Sequence, residues 1–517
     1  MSCRFQRHAA LWLLPCFGAP ILLGGCGGGS SAPSGQDAAA TAAQDANAKI
    51  TDVRSGVSPF IAWIDLDGPQ VADVEEVEFR IAPRPGSVSK PVHVTYDIKY
   101  LQRRGLSPSP DKLSVPVFGL YADYANNIEL TLHMNDGEDE ALTTSFTSAP
   151  YSDPNGVYDR PTVVKPRTGQ DAIAFDFVYL KSLVSSPVIV DTDGQIRWVA
   201  PGLPSAASSI FEDGGFFVGS GDSLLWRRVE LDGQVQNQFL AASDVTNFHH
   251  DVAHGKQGLL VQMDGQQNGV AIVESILLEI DPDSGAILQR WDLGDSFSRH
   301  MQAHGDDPSL FVRPGVDWFH MNSALYDARD DSLIVSSREN FVVKIDYATG
   351  NLKWLLGDPS KYWFSFASLA ALNLGLASPG FYPVGQHALS LTPEGNLLLF
   401  NNGQGSLNQP AGAPAGTSRT FSAVSEYAID EAAHQATEVS HFDHDQSIFS
   451  PFCSSVTRTG AQDAMLVTYS VADNASRLYL SGVDAQGHVA FELAYPTTGC
   501  NTAWNAQPIA LDSLRLQ

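Results

Sequence analysis

Three histidines, His250, His320 and His387, stand at nearly even intervals along the chain, and each opens a stretch with the pattern of a β-hairpin. In each stretch an apolar strand is followed by a turn rich in polar or small residues and then by a second apolar strand. Imidazole can act near neutral pH as a nucleophile, a proton carrier or a metal ligand. Because equivalent positions of successive repeats converge on one axis, the spacing predicts a shared site.

The same hairpins predict which side chains accompany the histidines. The start of a hairpin's first strand lies beside the end of its second strand. Arg338 closes the hairpin that His320 opens, so its guanidinium is expected to return close to that imidazole. Asn401 and Asn402 close the hairpin of His387 and are expected beside it in the same way.

The chemistry of this set favours an anion over a metal. Asn322 follows His320 by two residues and should share its face of the strand, since side chains alternate along a strand. Three imidazoles would suit Zn²⁺, but Arg338 beside them would repel a metal and attract an oxyanion. No metal is therefore predicted. His249, adjacent to His250, is expected on the opposite face with a structural role.

Composition limits the partners of the protein. The 517 residues include 31 Lys and Arg against 58 Asp and Glu, a net charge of −27. So acidic a chain is a poor partner for nucleic acid or for an anionic membrane surface. A hydrophobic content of 43% with 10% aromatic residues indicates a globular protein. A small anionic substrate would need the local positive charge that the histidine cluster supplies.

Repeats of the hairpin pattern predict the fold. Asp- or Gly-centred turns followed by a strand that often ends in Trp or Phe recur along residues 151–517, at intervals that fit four-stranded blades with loop insertions. Residues 51–150 instead carry short runs that alternate at period two between Pro and Gly breaks. The sequence therefore predicts an all-β chain: a six-bladed β-propeller in 151–517 behind a small N-terminal β-sandwich in 51–150.

The N-terminus has the pattern of a targeting signal. Arg4 and Arg7 precede an apolar run that ends in Leu23-Gly-Gly-Cys26, which resembles a bacterial lipobox. This predicts a signal peptide in 1–25, a lipid on Cys26 and a flexible Gly/Ser/Ala tether in 26–50. The expected location is periplasmic or cell-surface, with the lipid as the only membrane contact. The alternative is ordinary signal-peptide cleavage with Cys26 incidental.

Two cysteines remain outside the signal region. Cys453 and Cys500 could form one disulfide in an exported protein, or could be two free buried thiols. The sequence leaves both alternatives open.

Several motifs, taken in order, resemble the bacterial arylsulfate sulfotransferase family. They are His320-Met-Asn-Ser with Ser336-Ser-Arg-Glu-Asn340, Lys344-Ile-Asp with Trp354-Leu-Leu-Gly357, and Gln386-His-Ala with Asn401-Asn-Gly403. The resemblance extends from about residue 51 to the end and includes Gly119-Leu-Tyr-Ala-Asp-Tyr124. It implies a six-bladed propeller with a small β-domain that moves a sulfuryl group from an aryl sulfate to a phenol.

The resemblance also implies roles for individual residues. It makes His387 the histidine that is transiently sulfated in a ping-pong reaction. The residues that hold the anion would be His250, His320, Asn322 and Arg338, and no cofactor is implied. One departure concerns the acceptor side of the site, where Cys453 stands in place of the small polar residue expected there.

The predicted function is thus an exported aryl sulfotransferase with a small-molecule aryl sulfate donor and a phenolic acceptor. Two alternatives stay open: an aryl sulfate hydrolase on the same site, and a non-catalytic surface propeller that binds a partner. Which of His250 and His320 carries the proton is undecided, and so is the oligomeric state, for which a homodimer is one alternative.

Overall fold

The computed structural model describes residues 47–170, 173–183, 187–200, 206–459 and 463–517, and strands dominate in them. The predicted signal peptide and Cys26 lie outside the described residues. The first seven strands are β1 (Lys49–Ser55), β2 (Ile61–Asp67), β3 (Val74–Ile81), β4 (Val92–Asp97), β5 (Lys112–Phe118), β6 (Ala125–Met134) and β7 (Asp139–Thr147). Because β1 already begins at Lys49, the end of the segment predicted as tether is part of a strand.

The strands that follow build the larger part of the protein. They are β8 (Thr162–Lys165), β9 (Phe177–Lys181), β10 (Val188–Asp191), β11 (Ile196–Val199), β12 (Ala206–Glu212), β13 (Gly215–Ser220), β14 (Leu225–Glu230), β15 (Val235–Phe239), β16 (Val245–His254), β17 (Leu259–Gln267), β18 (Val270–Ile280), β19 (Ile287–Asp292), β20 (Met321–Asp327), β21 (Ser332–Ser337), β22 (Val342–Asp346), β23 (Leu352–Leu356), β24 (Gly375–Leu376), β25 (His387–Leu391), β26 (Leu397–Asn401), β27 (Ala423–Asp430), β28 (Gln435–Phe442), β29 (Ser455–Thr459), β30 (Ala464–Val471), β31 (Arg477–Val483), β32 (Val489–Pro496), β33 (Asn505–Ile509) and β34 (Leu514–Leu516).

Helices are short and lie between strands. In the described part of the chain they are α1 (Ile98–Arg103), α2 (Leu293–Ala303), α3 (Ala367–Ala370) and α4 (Ala472–Ala475), with 3₁₀ turns at Pro69–Asp73, Pro308–Leu310, Tyr362–Ser365 and His444–Gln446. Among the described residues, no helix has the length and apolar character that crossing a membrane requires.

The N-terminal strands form a sandwich of two sheets, ordered β1-β2-β5 and β34-β4-β3-β6-β7. Their apolar residues alternate with exposed ones, as in β3, where Val77, Phe79 and Ile81 are fully buried. The last strand of the chain, β34, pairs in parallel with β4. The sandwich therefore includes a strand from the far end of the segment that the sequence assigns to the propeller.

The other sheets have the strand order of propeller blades. They are β33-β9-β10-β11, β12 to β15, β16 to β19, β20 to β23, β25 to β28 with β24 at its edge, and β29 to β32 with β8 at its edge. The first strands of successive sheets contact one another from β12 through β16, β20, β25 and β29 to β33, and β9 contacts β12. The all-β prediction of a propeller with a small N-terminal β-domain is confirmed.

Cys453 and Cys500 form a disulfide with their Cα atoms 6.3 Å apart. The bond joins the segment before β29 to the segment before β33. Of the two alternatives that the sequence left open, the structure contains the bonded one.

Candidate active site

Irregular backbone within or at the start of three inner strands directs the histidines. His250 and His320 both have left-handed backbone, with φ of 51° and 53°, and the pairing register shifts beside each of them. In the blade that contains His387, the left-handed residue is Ala388, one position after that histidine. Left-handed residues and register shifts mark β-bulges, which redirect side chains that would otherwise alternate.

The bulge in β16 makes one expectation wrong. His249 does not point away from His250: the two ring centroids are 5.2 Å apart. One ring nitrogen of each of these two histidines and a carboxylate oxygen of Glu274 lie within 4.8 Å of one another. Strict alternation put His249 on the other face, and the bulge breaks that alternation.

The three predicted histidines meet. The Nε2 atoms of His250 and His320 are 3.0 Å apart, and the rings of His250 and His387 lie nearly parallel at a centroid distance of 6.5 Å. One nitrogen from each of the three lies within 4.8 Å of the other two. His320 and His387 are buried, with 8% and 3% of their surface exposed. The structure thus brings together the three histidines that their even spacing predicted to share a site.

Hydrogen bonds determine which nitrogen of His387 carries its proton. Nδ1 lies 3.0 Å from the carbonyl oxygen of Gly385 and 2.8 Å from Oδ1 of Asn402. Both partners only accept, since the Nδ2 group of Asn402 donates elsewhere, to the carbonyls of Ser450 and Cys453. Nδ1 therefore carries the hydrogen, and Nε2 keeps its lone pair.

The environment of His387 keeps its ring neutral. Burial lowers the pKa of His387 to about 3, and the charges of His320 and Arg338 act in the same direction. The backbone N–H of Cys453 donates to Nε2 across 3.2 Å. Cys453 has left-handed backbone, with φ of 54°, and its side chain is fixed in the disulfide. The unprotonated nitrogen thus faces one backbone donor.

His320 has the opposite electrostatic environment, created by two carboxylates that the sequence analysis missed. Its Nδ1 lies 2.7 Å from Oδ2 of Asp317 and 2.7 Å from Oε2 of Glu274. Burial would lower the pKa of His320, but Glu274 and Asp317 overcome it and raise that pKa to about 9. At neutral pH His320 is therefore an imidazolium ion.

No carboxylate of the described residues forms a hydrogen bond with His250, and burial holds the pKa of His250 well below its ordinary value although the charge of Glu274 acts against this. Burial would raise the pKa of Glu274, yet the positive charge of His320 holds it well below its usual range. The site thus contains an ionised Glu274, a cationic His320 and a neutral His250.

Arg338 supplies the second positive charge. Its backbone N–H donates to the carbonyl of His320, which confirms the predicted return of the hairpin. Its Nε and Nη2 donate to Oε1 of the buried Glu339, at 3.2 and 2.6 Å, and Nη2 lies 3.8 Å from Oδ2 of Asp317. Nη1 forms no hydrogen bond to the described part of the protein. The guanidinium is held on one edge and has donors left on the other.

Asn322 connects two blades. Its Nδ2 donates to the carbonyl of Gln386, the residue before His387, across 2.8 Å. Its Oδ1 is buried without a hydrogen-bond partner among the described residues. Asn322 therefore positions the strand of His387 and leaves one amide hydrogen and one acceptor for a ligand.

Glu274 reaches the site through another bulge, and this explains why it was missed. The register of β17 and β18 shifts around it, its φ is 46°, and its N–H donates to Oδ1 of Asp264 across 2.8 Å. The signal available in the sequence was a carboxylate, one of two with Glu279, within the mostly apolar run Val270–Ile280. For Asp317 the signal was its position three residues before His320.

Together these side chains place the cations of His320 and Arg338, each held by carboxylates, next to one unprotonated imidazole nitrogen. The spacing of the three imidazoles would also suit a metal ion, but the positive charges of His320 and Arg338 oppose one. The arrangement is suited to binding a small oxyanion and attacking it.

A β-propeller with such a site defines an enzyme that acts on a small anionic group. The family profile described as arylsulfotransferase (ASST) matches residues 162–505, and the profile described as arylsulfotransferase Ig-like domain matches residues 52–149. Since the first of these covers more than half of the chain, the protein belongs to the arylsulfotransferase family and is a sulfotransferase.

Named relatives agree with this assignment. The arylsulfate sulfotransferase AssT of Escherichia coli O6:H1 is 24% identical, over 79% of this chain and 82% of its own length. The enzyme of the same name from Lelliottia amnigena is also 24% identical, over 73% and 76%. Among solved structures, the β-propeller domain of Myceliophteria thermophila Cps50 (Swd1) has a TM-score of 0.35 and 12% identity, covering 64% of this chain and 87% of that domain.

Proposed function

We propose that this sulfotransferase moves a sulfuryl group from an aryl sulfate to a phenol by way of a sulfated His387. The observation that carries the proposal is the Nε2 lone pair of His387, which is fixed by two acceptors on Nδ1, in a ring on which the charges of His320 and Arg338 act. A neutral imidazole is a competent nucleophile. His320 is excluded as the acceptor of the group because both of its ring nitrogens carry hydrogen, and Nε2 of the neutral His250 already accepts from Nε2 of His320.

Positive charge and backbone donors would stabilise the group during transfer. Sulfuryl transfer, like phosphoryl transfer, depends on positioning and on stabilising charge on three oxygens. His320 and Arg338 provide the charge, and the N–H of Cys453 is placed to donate to an oxygen once Nε2 is bonded to sulfur. The role of Cys453 thus lies in its backbone, which tolerates a side chain different from the one that the family resemblance leads one to expect.

The assay that tests this function is incubation with 4-nitrophenyl sulfate, with and without phenol. We expect nitrophenol release to be strongly accelerated by phenol and phenyl sulfate to accumulate in equal amount. Nitrophenol release that is independent of phenol, with inorganic sulfate as the product, would instead support an aryl sulfate hydrolase. Binding of the sulfate without turnover would support the non-catalytic alternative.

We also propose that the protein is exported and anchored by a lipid on Cys26. The support is the sequence Leu23-Gly-Gly-Cys26 behind a basic and apolar N-terminus. The intact mass of protein extracted from membranes should show a diacyl or triacyl addition on an N-terminal Cys26, and Cys26→Ala should remove it. An unmodified N-terminus at another residue would contradict the anchor but not the enzymatic function.

A further inference from the structure

Two carboxylates contact a single ring nitrogen of His320, an arrangement that requires a positive charge between them. Oδ2 of Asp317 accepts the Nδ1 hydrogen, and Oε2 of Glu274 is equally close at 2.7 Å. That oxygen of Glu274 and Oδ1 of Asp317 are buried without hydrogen-bond partners among the described residues. Two buried carboxylates at one atom repel each other unless a cation separates them.

The same contacts determine where the exchangeable proton lies. Because Nδ1 is bound to the carboxylates, the second hydrogen of the imidazolium is on Nε2, which lies 3.0 Å from Nε2 of His250. His250 thus accepts this hydrogen when no substrate is present. Among the described residues no carboxylate contacts His250 within hydrogen-bonding distance, so nothing comparable holds a proton on it.

We propose that Glu274, with Asp317, keeps His320 protonated, and that His320 and not His250 exchanges the proton with the phenol. The inference rests on the proposed function. In the first half-reaction Nε2 of His387 forms a bond to sulfur, the bond from sulfur to the aryl oxygen breaks, and its electron pair goes to that oxygen. The departing oxygen takes the Nε2 proton of His320, which becomes neutral.

In the second half-reaction the acceptor phenol returns its proton to Nε2 of His320 as its oxygen attacks sulfur. The bond between sulfur and His387 breaks, and the electron pair returns to Nε2 of that ring. The acidity of the proton carrier suits both steps: the pKa of His320 is raised to about 9, close to that of a phenol at roughly 10. Glu274 acts through His320 and is a positioning residue.

The leaving group of the donor gives a test that a purely structural role of Glu274 would not pass. Phenolate is a strong base and needs the proton, whereas nitrophenolate leaves without one. We expect Glu274→Gln to lower kcat/KM for phenyl sulfate at least about tenfold more than kcat/KM for 4-nitrophenyl sulfate. In a ping-pong reaction kcat/KM for the donor reports only the first half-reaction, so the acceptor does not affect this comparison.

The pH profile gives a second readout. The charged or titratable groups around His320 are Glu274 on β18, Asp317 before β20, Arg338 after β21, His250 on β16 and His387 on β25. A histidine with a raised pKa stays protonated up to that pKa, so the acid form is lost as the pH rises through it. Replacing Glu274 by Gln should move the basic limb of kcat/KM for phenyl sulfate down by at least about one pH unit, and Glu274→Asp should restore part of it.

Three controls make the outcome decisive. Glu279→Gln removes another buried carboxylate of β18, which accepts hydrogen bonds from the Tyr347 hydroxyl and the N–H of Gly258. It should leave unchanged the ratio of kcat/KM for 4-nitrophenyl sulfate to kcat/KM for phenyl sulfate. His250→Gln should also leave the ratio unchanged. The ring of His320 in labelled wild-type protein, assigned with His320→Asn, should titrate well above neutral pH by ¹³C NMR.

Any of three results would overturn the inference. The first is an equal loss of kcat/KM for both sulfates in Glu274→Gln, and the second is a ratio that changes in His250→Gln instead. The third is a His320 ring that titrates below neutral pH. If the wild-type enzyme turned over neither sulfate, the proposed function itself would be wrong. The NMR titration of the wild-type protein needs no turnover, so it tests the protonation of His320 even if the Glu274 variants do not fold.

Discussion

His387→Asn is expected to abolish both the burst of nitrophenol on mixing with 4-nitrophenyl sulfate alone and the covalent sulfuryl adduct. Asparagine has no basic nitrogen at the position of Nε2, so no bond to sulfur can form. Its amide would still be able to contact the partners of Nδ1, Asn402 and the carbonyl of Gly385. The measurement is a rapid quench without acceptor, followed by peptide mass spectrometry under alkaline conditions, because sulfated imidazole is labile in acid.

His249→Asn is the matched control for this experiment. The same substitution is made in the same cluster, on a buried ring whose two nitrogens have no hydrogen-bond partner among the described residues. We expect it to retain the burst and the adduct on His387. An adduct on another residue in the wild-type protein, or sequential kinetics without any adduct, would disprove the assignment of the nucleophile.

The sequence predicted those parts of the site that follow from hairpin geometry. Arg338 returns to the backbone of His320, and Asn402 returns to the ring of His387, because a hairpin necessarily joins its two open ends. Asn401, expected at the same place, turns away and accepts from the N–H of Val384. Neighbouring residues of a strand cannot both reach one ring, and only the structure decides which of them does.

Features that depend on contacts between blades could not be predicted in this way. Glu274 belongs to the second hairpin of its blade, yet a bulge in β18 carries its carboxylate to a histidine of the next blade. Bulges leave little trace in a sequence, because one extra residue preserves composition and changes only the register. The same reason explains the wrong placement of His249. Neither the contact of Asp317 with His320 nor the approach of the Cys453 N–H to His387 follows from periodicity.

Periodicity in the sequence predicted that the elements of the fold are strands, but it did not predict which sheets the C-terminal strands join. Alternating strands between turn residues predicted the sandwich and the blades. Strand β33 completes the sheet of β9, and β34 pairs with β4, so the C-terminal residues belong to two sheets begun far earlier. Pairing over such distances depends on which sheet edges are left open, which a local pattern does not record.

Arg338→Lys is expected to lower kcat/KM for the aryl sulfate donor at least about tenfold, equivalent to roughly 1.4 kcal/mol in the barrier. Lysine keeps the positive charge but not the planar fork that can bind Glu339 on one edge and sulfuryl oxygens on the other. A single ammonium group would be held by the buried Glu339 carboxylate, at the expense of the anion. Steady-state kinetics at saturating phenol measures the loss.

Arg329→Lys gives the comparison that separates anion binding from packing. Arg329 lies in the turn of the same hairpin and binds Asp327 through two hydrogen bonds of 2.8 Å, at the end opposite to His320. Arg329→Lys also loses a fork to a buried carboxylate, but from a more exposed side chain, so we expect a stability cost no larger than that of Arg338→Lys and a turnover close to that of the wild type. If Arg338→Lys and Arg329→Lys fell in stability together and kept equal activity, Arg338 would serve only to join its blade to the loop that carries Leu407 and Asn408, whose N–H groups bind Glu339. A selective loss of turnover in Arg338→Lys alone requires that the guanidinium itself contact the group being transferred.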